Sequence, residues 1–338
     1  MSRPASSRLD HIGVAGAGAW GTALALVAAR AGRRVTLLAR RPEQAAEIDQ
    51  ARENRTYLPG IVLPESIAVA AEPAALRDVD ALLLVMPAQH LRETCLGFAD
   101  AVPPRCPLVI CAKGIEQGSG LLMSEVAAAC LPGRPLAALS GPTFAAEVAR
   151  DLPTAASLAC ADQDQASVLV EALGAPRFRP YRSADLVGVE LGGAVKNVIA
   201  IASGAVAGRR LGDNARAALI TRGLAEIARL GAARGAQPAT FMGLSGLGDL
   251  SLTCSATQSR NFSFGLALGE GDSVETALDK AAGVVEGRHS AAAVAGMGRG
   301  LGIELPIVEA VDSILNKGAS LEAEIEALLA RPFRQELS

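Results

Sequence analysis

Short apolar runs alternate with amphipathic segments along the first half of the chain. Six runs have the length and composition of buried strands: "HIGVAG", "RRVTLLAR", "DALLLVMP", "PLVICAKG", "PLAALS" and "PTAASLAC". Each of the first five is followed by a segment with helical spacing. Buried strands that alternate with amphipathic helices are typical of a parallel, doubly wound sheet covered by helices.

The pattern changes beyond Tyr181, where strand-like runs disappear. Long segments rich in Ala and Leu follow, with helical spacing over 185–207, 213–235, 258–269, 286–302 and 306–316. The sequence therefore predicts a Rossmann-type α/β domain over residues 1–184 and an all-helical C-terminal domain over 185–338. A chain of 338 residues suits two domains, at roughly 100–200 residues each.

Composition narrows the class of protein. Half of the residues are hydrophobic but only 3% are aromatic, which predicts a large aliphatic core. The net charge is -3 and no basic run appears, which argues against a nucleic-acid partner. The six cysteines form no CxxC motif and the three histidines are scattered, so we expect no metal site and buried, reduced thiols, as in a cytoplasmic protein.

The mean hydropathy of +0.29 raises the alternative of a membrane protein. Ile12–Ala29 carries no charge and approaches the length of a membrane span. Its closely spaced glycines fit a buried strand and helix better, and the similar segment 191–208 holds Lys196 in its middle. We therefore expect no integral membrane segment, and the N-terminus lacks the apolar stretch of a signal peptide.

The sequence "GAGAWG" at 16–21 is a GxGxxG fingerprint between a predicted strand and a predicted helix. In this context Gly16 permits the tight turn, Gly18 lets the backbone approach a pyrophosphate, and Gly21 lets helix and strand pack closely. The helix N-terminus would offer N–H groups to the phosphates. The alternative is a glycine-rich turn without a ligand.

The residues at the end of the second predicted strand indicate whether the cofactor's ribose carries a 2′-hydroxyl or a 2′-phosphate. NAD-specific sites usually have an acid there, bonded to the 2′-hydroxyl. This chain has Arg40 and Arg41, with no acid before Glu43. Two arginines suit a 2′-phosphate, which favours NADP(H) and leaves NAD(H) possible. The alternative is a solvated basic pair on the surface.

Several polar residues interrupt apolar sequence where parallel sheets bind ligands. Lys113 follows one predicted strand, and Ser140, Gly141 and Thr143 follow another, at the carboxyl edge of the sheet. A glycine-rich stretch then brings together five more polar residues: Asp249, Thr253, Ser259, Arg260 and Asn261.

Lys196 is the one charged residue in an apolar helical segment that runs from 191 to 208. Gly192 and Gly193 precede it on the same helix face and would leave room beside it. Burial lowers the pKa of a lysine and makes it able to exchange a proton near neutral pH. The alternative is a lysine whose stem packs while its ammonium reaches the surface.

Longer motifs resemble the bacterial NAD(P)-dependent glycerol-3-phosphate dehydrogenase family. The resemblance covers residues 12–330, with the motifs in the family's order. They are "GAGAWGTALA" at 16–25, "KGIE" at 113–116, "SGPTFAAEVA" at 140–149, "GVELGGAVKNVIAIASG" at 188–204, "GDNARAALITRGLAEIARLG" at 212–231, "GLGDLSLTC" at 246–254, "QSRNFSFG" at 258–265 and "VVEG" at 284–287.

The resemblance implies reversible reduction of dihydroxyacetone phosphate to sn-glycerol 3-phosphate by hydride transfer, which supplies glycerophospholipid synthesis. It implies that Lys196 is the catalytic acid and base, and that Asp249 orients it. Arg260 and Asn261 would bind the substrate phosphate. The remaining implied substrate-binding residues are Lys113, Gly141, Thr143, Asn197, Asp249, Thr253 and Ser259.

The family pattern also implies cofactor contacts. Beside the three glycines, they involve Ala19, Trp20, Arg40, Arg41, Tyr57, Lys113, Ala145, Arg260, Val284 and Glu286. Trp20 has the alternative of a packing residue, and Glu286 that of an acid at a helix start. The segment "GRHSAA" does not match, so His289 receives no role.

Two other functions stay open at this point. One is a related two-domain dehydrogenase of another hydroxy acid, against which the Arg260–Asn261 pair and the motif order argue. The other is a non-catalytic dinucleotide sensor, which would not need Lys113, Lys196 and Asp249 together. The expected partner is a small-molecule substrate, and the apolar helical half suggests a homodimer.

Overall fold

The computed structural model describes residues 8–281 and 283–332, which fold into two compact units. The first unit contains the described residues up to Ala112 together with Met123–Leu186. The second contains Lys113–Leu122 and the described residues from Val187 onward. The predicted domain division after residue 184 did not include this assignment of Lys113–Leu122 to the helical unit.

The first unit is built on an eight-stranded sheet. Its strands are β1 His11–Ala15, β2 Arg34–Leu38, β3 Ile67–Ala70, β4 Ala81–Leu84, β5 Leu108–Ile110, β6 Leu136–Ser140, β7 Thr154–Cys160 and β8 Phe178–Ser183. Their spatial order is β3-β2-β1-β4-β5-β6-β7-β8. The first six strands have the doubly wound order, which reverses direction between β1 and β4 and leaves a ligand-binding crevice there.

Helices complete both units. The first unit has α1 Ala19–Arg30, α2 Pro42–Ala51, α3 Leu91–Gly97, α4 Met123–Cys130, α5 Ala145–Ala149 and α6 Gln163–Leu173. The second has α7 Leu186–Gly208, α8 Asp213–Ala233, α9 Pro238–Phe241, α10 Asp249–Ser255, α11 Arg260–Glu270, α12 Val274–Lys280, α13 Glu286–Leu301, α14 Pro306–Lys317 and α15 Leu321–Leu329. The predicted fold class, an α/β unit followed by a helical one, is confirmed.

The sequence predicted a wholly parallel sheet, and this part of the prediction is wrong. Strand β7 runs antiparallel to β6, with Ala159 opposite Ala138, and β8 is parallel to β7. The intervening helix α5 has five residues and is about 7.5 Å long, roughly half the length of β6. Because so short a helix cannot return the chain along the strand, β7 starts from the edge where β6 ends.

Strands β3 and β8 and helix α6 were missed in the sequence. Strand β3 has four residues and only its first is fully buried. Strand β8, "FRPYRS", carries two arginines and a proline. Both lie at the two ends of the sheet, where a strand needs no continuous apolar run and proline is tolerated.

Helix α7 lies in the core of the second unit. Its Leu191, Val195, Val198 and Ile199 are buried in one apolar cluster. By length and composition α7 could cross a bilayer, but 83% of its most apolar window is buried inside the protein. Helix α7 is therefore a core helix of the second unit.

Helices α7 and α11 approach backbone to backbone. A Cβ atom at Gly204 would overlap the Phe262 carbonyl oxygen, and one at Gly265 would overlap the carbonyl oxygen of Ile201. We call these contacts the glycine seam. It holds α11 close to the C-terminal half of α7.

The segment Lys113–Leu122 is bound to the helical unit by its apolar ends. Ile115 and Leu122 form an antiparallel bridge. Both side chains are fully buried in the cluster that contains Leu191 and Ile199 of α7. This packing fixes Lys113 against the second unit. All six cysteines of the chain are buried, as predicted.

Candidate functional site

The glycine loop of the first unit has the geometry of a phosphate-binding turn. Gly16 has φ +116, and a Cβ there would lie 2.7 Å from the Val85 carbonyl oxygen at the end of β4. A Cβ at Gly21 would overlap the Gly16 carbonyl oxygen. Each of these positions therefore requires glycine, one for the turn and one for the close packing of helix on strand.

The space in front of α1 is open. Nothing lies within 4 Å of a Cβ placed on Gly18, and this N-cap residue provides no side chain to the first N–H groups of the helix. Trp20 is half-buried, and its indole Nε1 has no hydrogen-bond partner within residues 8–281 and 283–332. Free donors and open space fit the pyrophosphate of a dinucleotide.

Arg40 and Arg41 follow β2 and are exposed. The glycine loop begins beside them, because the Gly16 N–H donates to the Leu38 carbonyl oxygen at 2.9 Å and Ala15 is paired with Leu38. Both arginines therefore stand at the carboxyl edge of the sheet, where a ribose next to the loop would lie.

The other first-unit candidates lie in loops and at a helix start. Tyr57 is exposed at 48%. Gly141 has φ +150 and accepts a hydrogen bond on its carbonyl oxygen from the Thr143 hydroxyl at 3.1 Å. Ala145 begins α5, and Ala19 begins α1. All five are at the carboxyl ends of strands or in the turn after α2.

In the second unit, one buried carboxylate binds two lysines. The Lys196 ammonium forms an ion pair with Asp249 Oδ1, and the Lys113 ammonium donates to Asp249 Oδ2 at 2.6 Å. Lys196 also donates to the Thr253 hydroxyl oxygen at 2.9 Å. The Asp249 side chain is 2% exposed. Two ammonium groups on one carboxylate leave the cluster with an excess positive charge when both are protonated.

Lys196 is only 6% exposed, so its ammonium does not reach the surface. Burial lowers the pKa of Lys196 to about 7, an effect that the Asp249 charge opposes and the Lys113 charge reinforces. A lysine with this pKa is able both to donate and to accept a proton near neutral pH.

The backbone before α10 explains how Asp249 reaches Lys196. Residues 244–248 form a π-helical turn that leads directly into Asp249, and such turns are frequent at functional sites. A Cβ at Gly192 would lie 2.5 Å from the Ser245 carbonyl oxygen. The room expected beside Gly192 is thus filled by this turn rather than open.

A chain of amides connects three elements near Lys196. Asn197 Nδ2 donates to the Lys113 carbonyl oxygen at 3.4 Å. Asn261 Nδ2 donates to Asn197 Oδ1 at 3.0 Å, and Asn261 Oδ1 accepts from the Gly287 N–H at 3.0 Å. Asn261, expected on the substrate phosphate, therefore has two internal partners, and one Nδ2 hydrogen remains for another acceptor.

The first turn of α11 carries the other phosphate candidates. Ser259 is the N-cap, and its Oγ accepts from the Phe262 N–H at 3.2 Å. Arg260 is exposed and its Nη1 would lie 3.0 Å from a Cβ on Gly283. Val284, 40% exposed, and Glu286, the first residue of α13, come next along the chain. A helix N-terminus beside a guanidinium suits an anion.

The sequence reasoning missed two side chains that hold the glycine loop. Asn54 and Gln44 both donate to the Ala17 carbonyl oxygen at 3.0 Å. In the segment "NRTYLPG" the family pattern implies a role for Tyr57 alone. Over the described ranges 8–281 and 283–332, no group of three metal-binding side chains occurs.

Two family models cover most of the chain. Residues 11–166 match the N-terminus of NAD-dependent glycerol-3-phosphate dehydrogenase, and residues 185–326 match the C-terminus of the same family.

Curated relatives and a solved structure agree with these matches. A glycerol-3-phosphate dehydrogenase [NAD(P)+] of Rhodospirillum rubrum is 56% identical over 329 residues, 97% of this chain and 94% of its own length. The protein of the same name from Caulobacter vibrioides is 54% identical over 97% of this chain and 99% of its own. The crystal structure of glycerol-3-phosphate dehydrogenase from Coxiella burnetii is 40% identical, covering 96% of this chain and 99% of its own, with a TM-score of 0.92.

Proposed function

The chain belongs to the NAD-dependent glycerol-3-phosphate dehydrogenase family, and we propose that it reduces dihydroxyacetone phosphate reversibly to sn-glycerol 3-phosphate. The observation that carries this proposal is the pair of lysines on one buried carboxylate, Lys113 and Lys196 on Asp249. When bound, a nicotinamide dinucleotide supplies or accepts the hydride. The protein's own task is then to hold the substrate and move one proton.

Lys196 moves that proton. In reduction its ammonium donates to the carbonyl oxygen of the substrate, and in oxidation its neutral amine takes the proton from the hydroxyl. The burial that lowers the pKa of Lys196 to about 7 suits both directions. Asp249 and Thr253 hold the Nζ atom in place, and Lys113 adds positive charge that stabilises a developing alkoxide.

The substrate phosphate binds at the first turn of α11. Arg260 offers two parallel N–H donors, and the Arg260 and Asn261 backbone N–H groups belong to the turn that has no intrahelical acceptors. Asn261 contributes its remaining amide hydrogen. Ser259, Asn197, Gly141 and Thr143 complete the substrate contacts.

The cofactor binds at the glycine loop of the first unit, through the loop residues Gly16 to Gly21 and the exposed Tyr57. Arg40 and Arg41 favour NADP(H) over NAD(H), since an acid that would repel a 2′-phosphate is absent before Glu43. Ala145, Val284, Glu286, Lys113 and Arg260 are the further cofactor contacts in this proposal.

The biological setting follows from the reaction. The product supplies the glycerol backbone of glycerophospholipids, and a cytoplasmic location suits this role. A homodimer remains a prediction, which light scattering on the purified protein would measure.

The decisive experiment follows NADPH and NADH oxidation side by side with dihydroxyacetone phosphate as substrate. We expect turnover with both cofactors, a lower KM for NADPH, and turnover reduced by at least about a thousandfold in Lys196→Ala. Nucleotide binding without turnover would favour a dinucleotide sensor. Turnover only with another hydroxy or keto acid would favour a related dehydrogenase, and either result would overturn the proposal.

A further inference from the structure

Asn54 is a buried amide in the loop after α2, and it takes no part in the proposed chemistry. Its side chain is 1% exposed. Nδ2 donates to the Ala17 carbonyl oxygen at 3.0 Å and to the Thr22 hydroxyl oxygen at 2.8 Å. Both acceptors belong to the glycine loop and the start of α1, so one amide group connects two points of the phosphate-binding turn.

A second amide reaches the same carbonyl. Gln44 Nε2, from helix α2, donates to the Ala17 oxygen at 3.0 Å. Two donors from different elements leave this carbonyl little freedom to rotate. Because a trans peptide is planar, its C=O and N–H point in opposite directions. Fixing the Ala17 carbonyl therefore fixes the direction of the Gly18 N–H.

That N–H lies where a phosphate would need it. Gly18 is the N-cap of α1 and has open space around its Cα. The Ala17 carbonyl is held from the side of α2 and the following loop, so the Gly18 N–H points away from that side. A loop held in advance binds its ligand without first losing conformational freedom.

The backbone of Asn54 positions another cofactor candidate. Its carbonyl oxygen accepts from the Leu58 N–H at 2.8 Å and from the Tyr57 N–H at 3.3 Å. The resulting turn buries Leu58, 4% exposed, and leaves Tyr57 exposed. Asn54 thus fixes both the glycine loop and the turn that presents Tyr57.

We propose that Asn54, assisted by Gln44, is a positioning residue for the pyrophosphate of the dinucleotide. It acts through the Ala17–Gly18 peptide and touches no ligand itself. The inference rests on the proposed function, in that it assumes a nicotinamide dinucleotide at the glycine loop.

The test measures the dissociation constant of NADPH by nucleotide fluorescence and by the emission of Trp20, the sole tryptophan of the chain. We expect Asn54→Ala to weaken NADPH binding about tenfold, which corresponds to about 1.4 kcal/mol of binding free energy. Gln44→Ala should weaken it a few-fold. KM for NADPH should rise in parallel, with kcat at saturating NADPH within about twofold of wild type.

The spectroscopic readout separates positioning from stability. Trp20 is the second residue of α1, directly after the Ala17–Gly18 peptide, so a reoriented peptide in Asn54→Ala should change its emission maximum in the absence of nucleotide. The control is Gln163→Ala, which removes an amide that donates to the Cys160 carbonyl oxygen at 2.7 Å elsewhere in the same unit. This variant should leave both the emission and the NADPH affinity unchanged.

The outcomes discriminate the inference from the proposed function. If wild-type protein binds neither NADPH nor NADH, the proposed function is wrong and the inference with it. If wild-type protein binds and Asn54→Ala binds equally well, only the inference is wrong. If Asn54→Ala does not fold, Gln44→Ala decides, because Gln44 is half-buried and surface-accessible, and unchanged affinity there overturns the inference.

Discussion

At the residue scale, the site depends on the balance of three charges around Asp249. The carboxylate raises the pKa of Lys196 and the second ammonium lowers it, while burial dominates both effects. In the proposed mechanism, Lys113 therefore acts on the acid–base residue Lys196 as well as on the substrate. Removing the charge of Lys113 or of Asp249 should therefore shift the midpoint of the pH–rate profile.

We predict that Lys113→Met raises the pH at which dihydroxyacetone phosphate reduction declines. Reduction needs protonated Lys196, so its rate falls as pH rises through a pKa of about 7 in the wild type. Without the Lys113 charge, that pKa rises. The measurement is kcat against pH in both directions; the oxidation profile should shift the same way, because it needs the neutral amine.

The kcat profiles of wild type and Lys113→Met are compared by their pH midpoints, because the loss of a substrate contact in the variant also lowers the maximum kcat. Lys280→Met is the matched control, because Lys280 is exposed and its ion pair, at 2.7 Å, is with Asp272. An unchanged midpoint in Lys113→Met would show that Lys113 does not tune Lys196.

Among the groups of the substrate, Arg260 should contact only the phosphate. We predict that Arg260→Ala raises KM for dihydroxyacetone phosphate by roughly 30- to 100-fold, as expected for a lost charge-assisted bidentate pair. Slow reduction of dihydroxyacetone, which has no phosphate, should be unaffected. Equal losses for both substrates would assign Arg260 to another role, and Arg299→Ala, at an exposed arginine of α13, serves as the control.

At the scale of elements, the glycine seam sets the distance between α7 and α11. Ala normally stabilises a helix interior by about 1 kcal/mol relative to Gly. At position 265 the added methyl group would overlap the Ile201 carbonyl oxygen, and separating two packed backbones costs more than the propensity gains.

We therefore predict that Gly265→Ala lowers the free energy of unfolding by about 2–3 kcal/mol. Gly300→Ala is the control, because nothing lies within 4 Å of a Cβ placed on this residue of α13. This variant should be as stable as the wild type or more stable by up to about 1 kcal/mol. Urea unfolding at constant pH measures both. If the free energy of unfolding of Gly265→Ala equals that of the wild type, α7 and α11 can separate at the glycine seam without a loss of stability.

At the scale of the whole molecule, stability should depend on pH through buried groups in both units. Burial raises the pKa of Glu226 to about 7, against the pull of the Ile307 and Val308 N–H groups that donate to it. In the first unit, burial lowers the pKa of His11 from 6.5, with smaller opposing effects of its Asp78 hydrogen bond.

The two groups make stability change with pH in opposite directions. Between pH 4.5 and 7 the folded protein binds more protons at Glu226 than the unfolded chain, so stability falls as pH rises. Below 6.5 the unfolded chain binds more protons at His11, so stability falls as pH drops.

We predict that Glu226→Gln removes much of the decline between pH 4.5 and 7. The full contribution of this one group is at most about 3 kcal/mol. Melting temperature measured across that pH range should therefore have a less negative slope in the variant than in the wild type. Glu43→Gln, the same charge change at an exposed glutamate, should leave the slope as it is.

The sequence predicted those features of the fold that are local. Gly16, Gly18 and Gly21 stand in a pattern six residues long, and the apolar run around Lys196 identifies a buried helix by itself. The hydrophobic pattern did not predict the edge strands β3 and β8, because an edge strand needs no continuous apolar run. The antiparallel direction of β7 depends on the length of α5, which the periodicity did not delimit.

The candidate site was predictable by residue type and motif, but not by its contacts. Lys113, Lys196 and Asp249 are far apart in the sequence, so their shared carboxylate is a property of the folded second unit. Asn54 is a polar residue in a turn, which normally needs no explanation. Its role is visible only once Ala17 and Thr22 are seen as its acceptors.

The assignment of Lys113–Leu122 to the helical unit has a consequence for anyone who wishes to separate the two halves. The chain passes between the units at three points, after Ala112, after Leu122 and after Leu186. A fragment that begins at Val187 would lack Ile115 and Leu122, and with them two side chains of its own core. It would also lack one of the two cations on Asp249. Neither half is an exchangeable module, so chimaeras with related dehydrogenases should carry residues 113–122 with the helical partner.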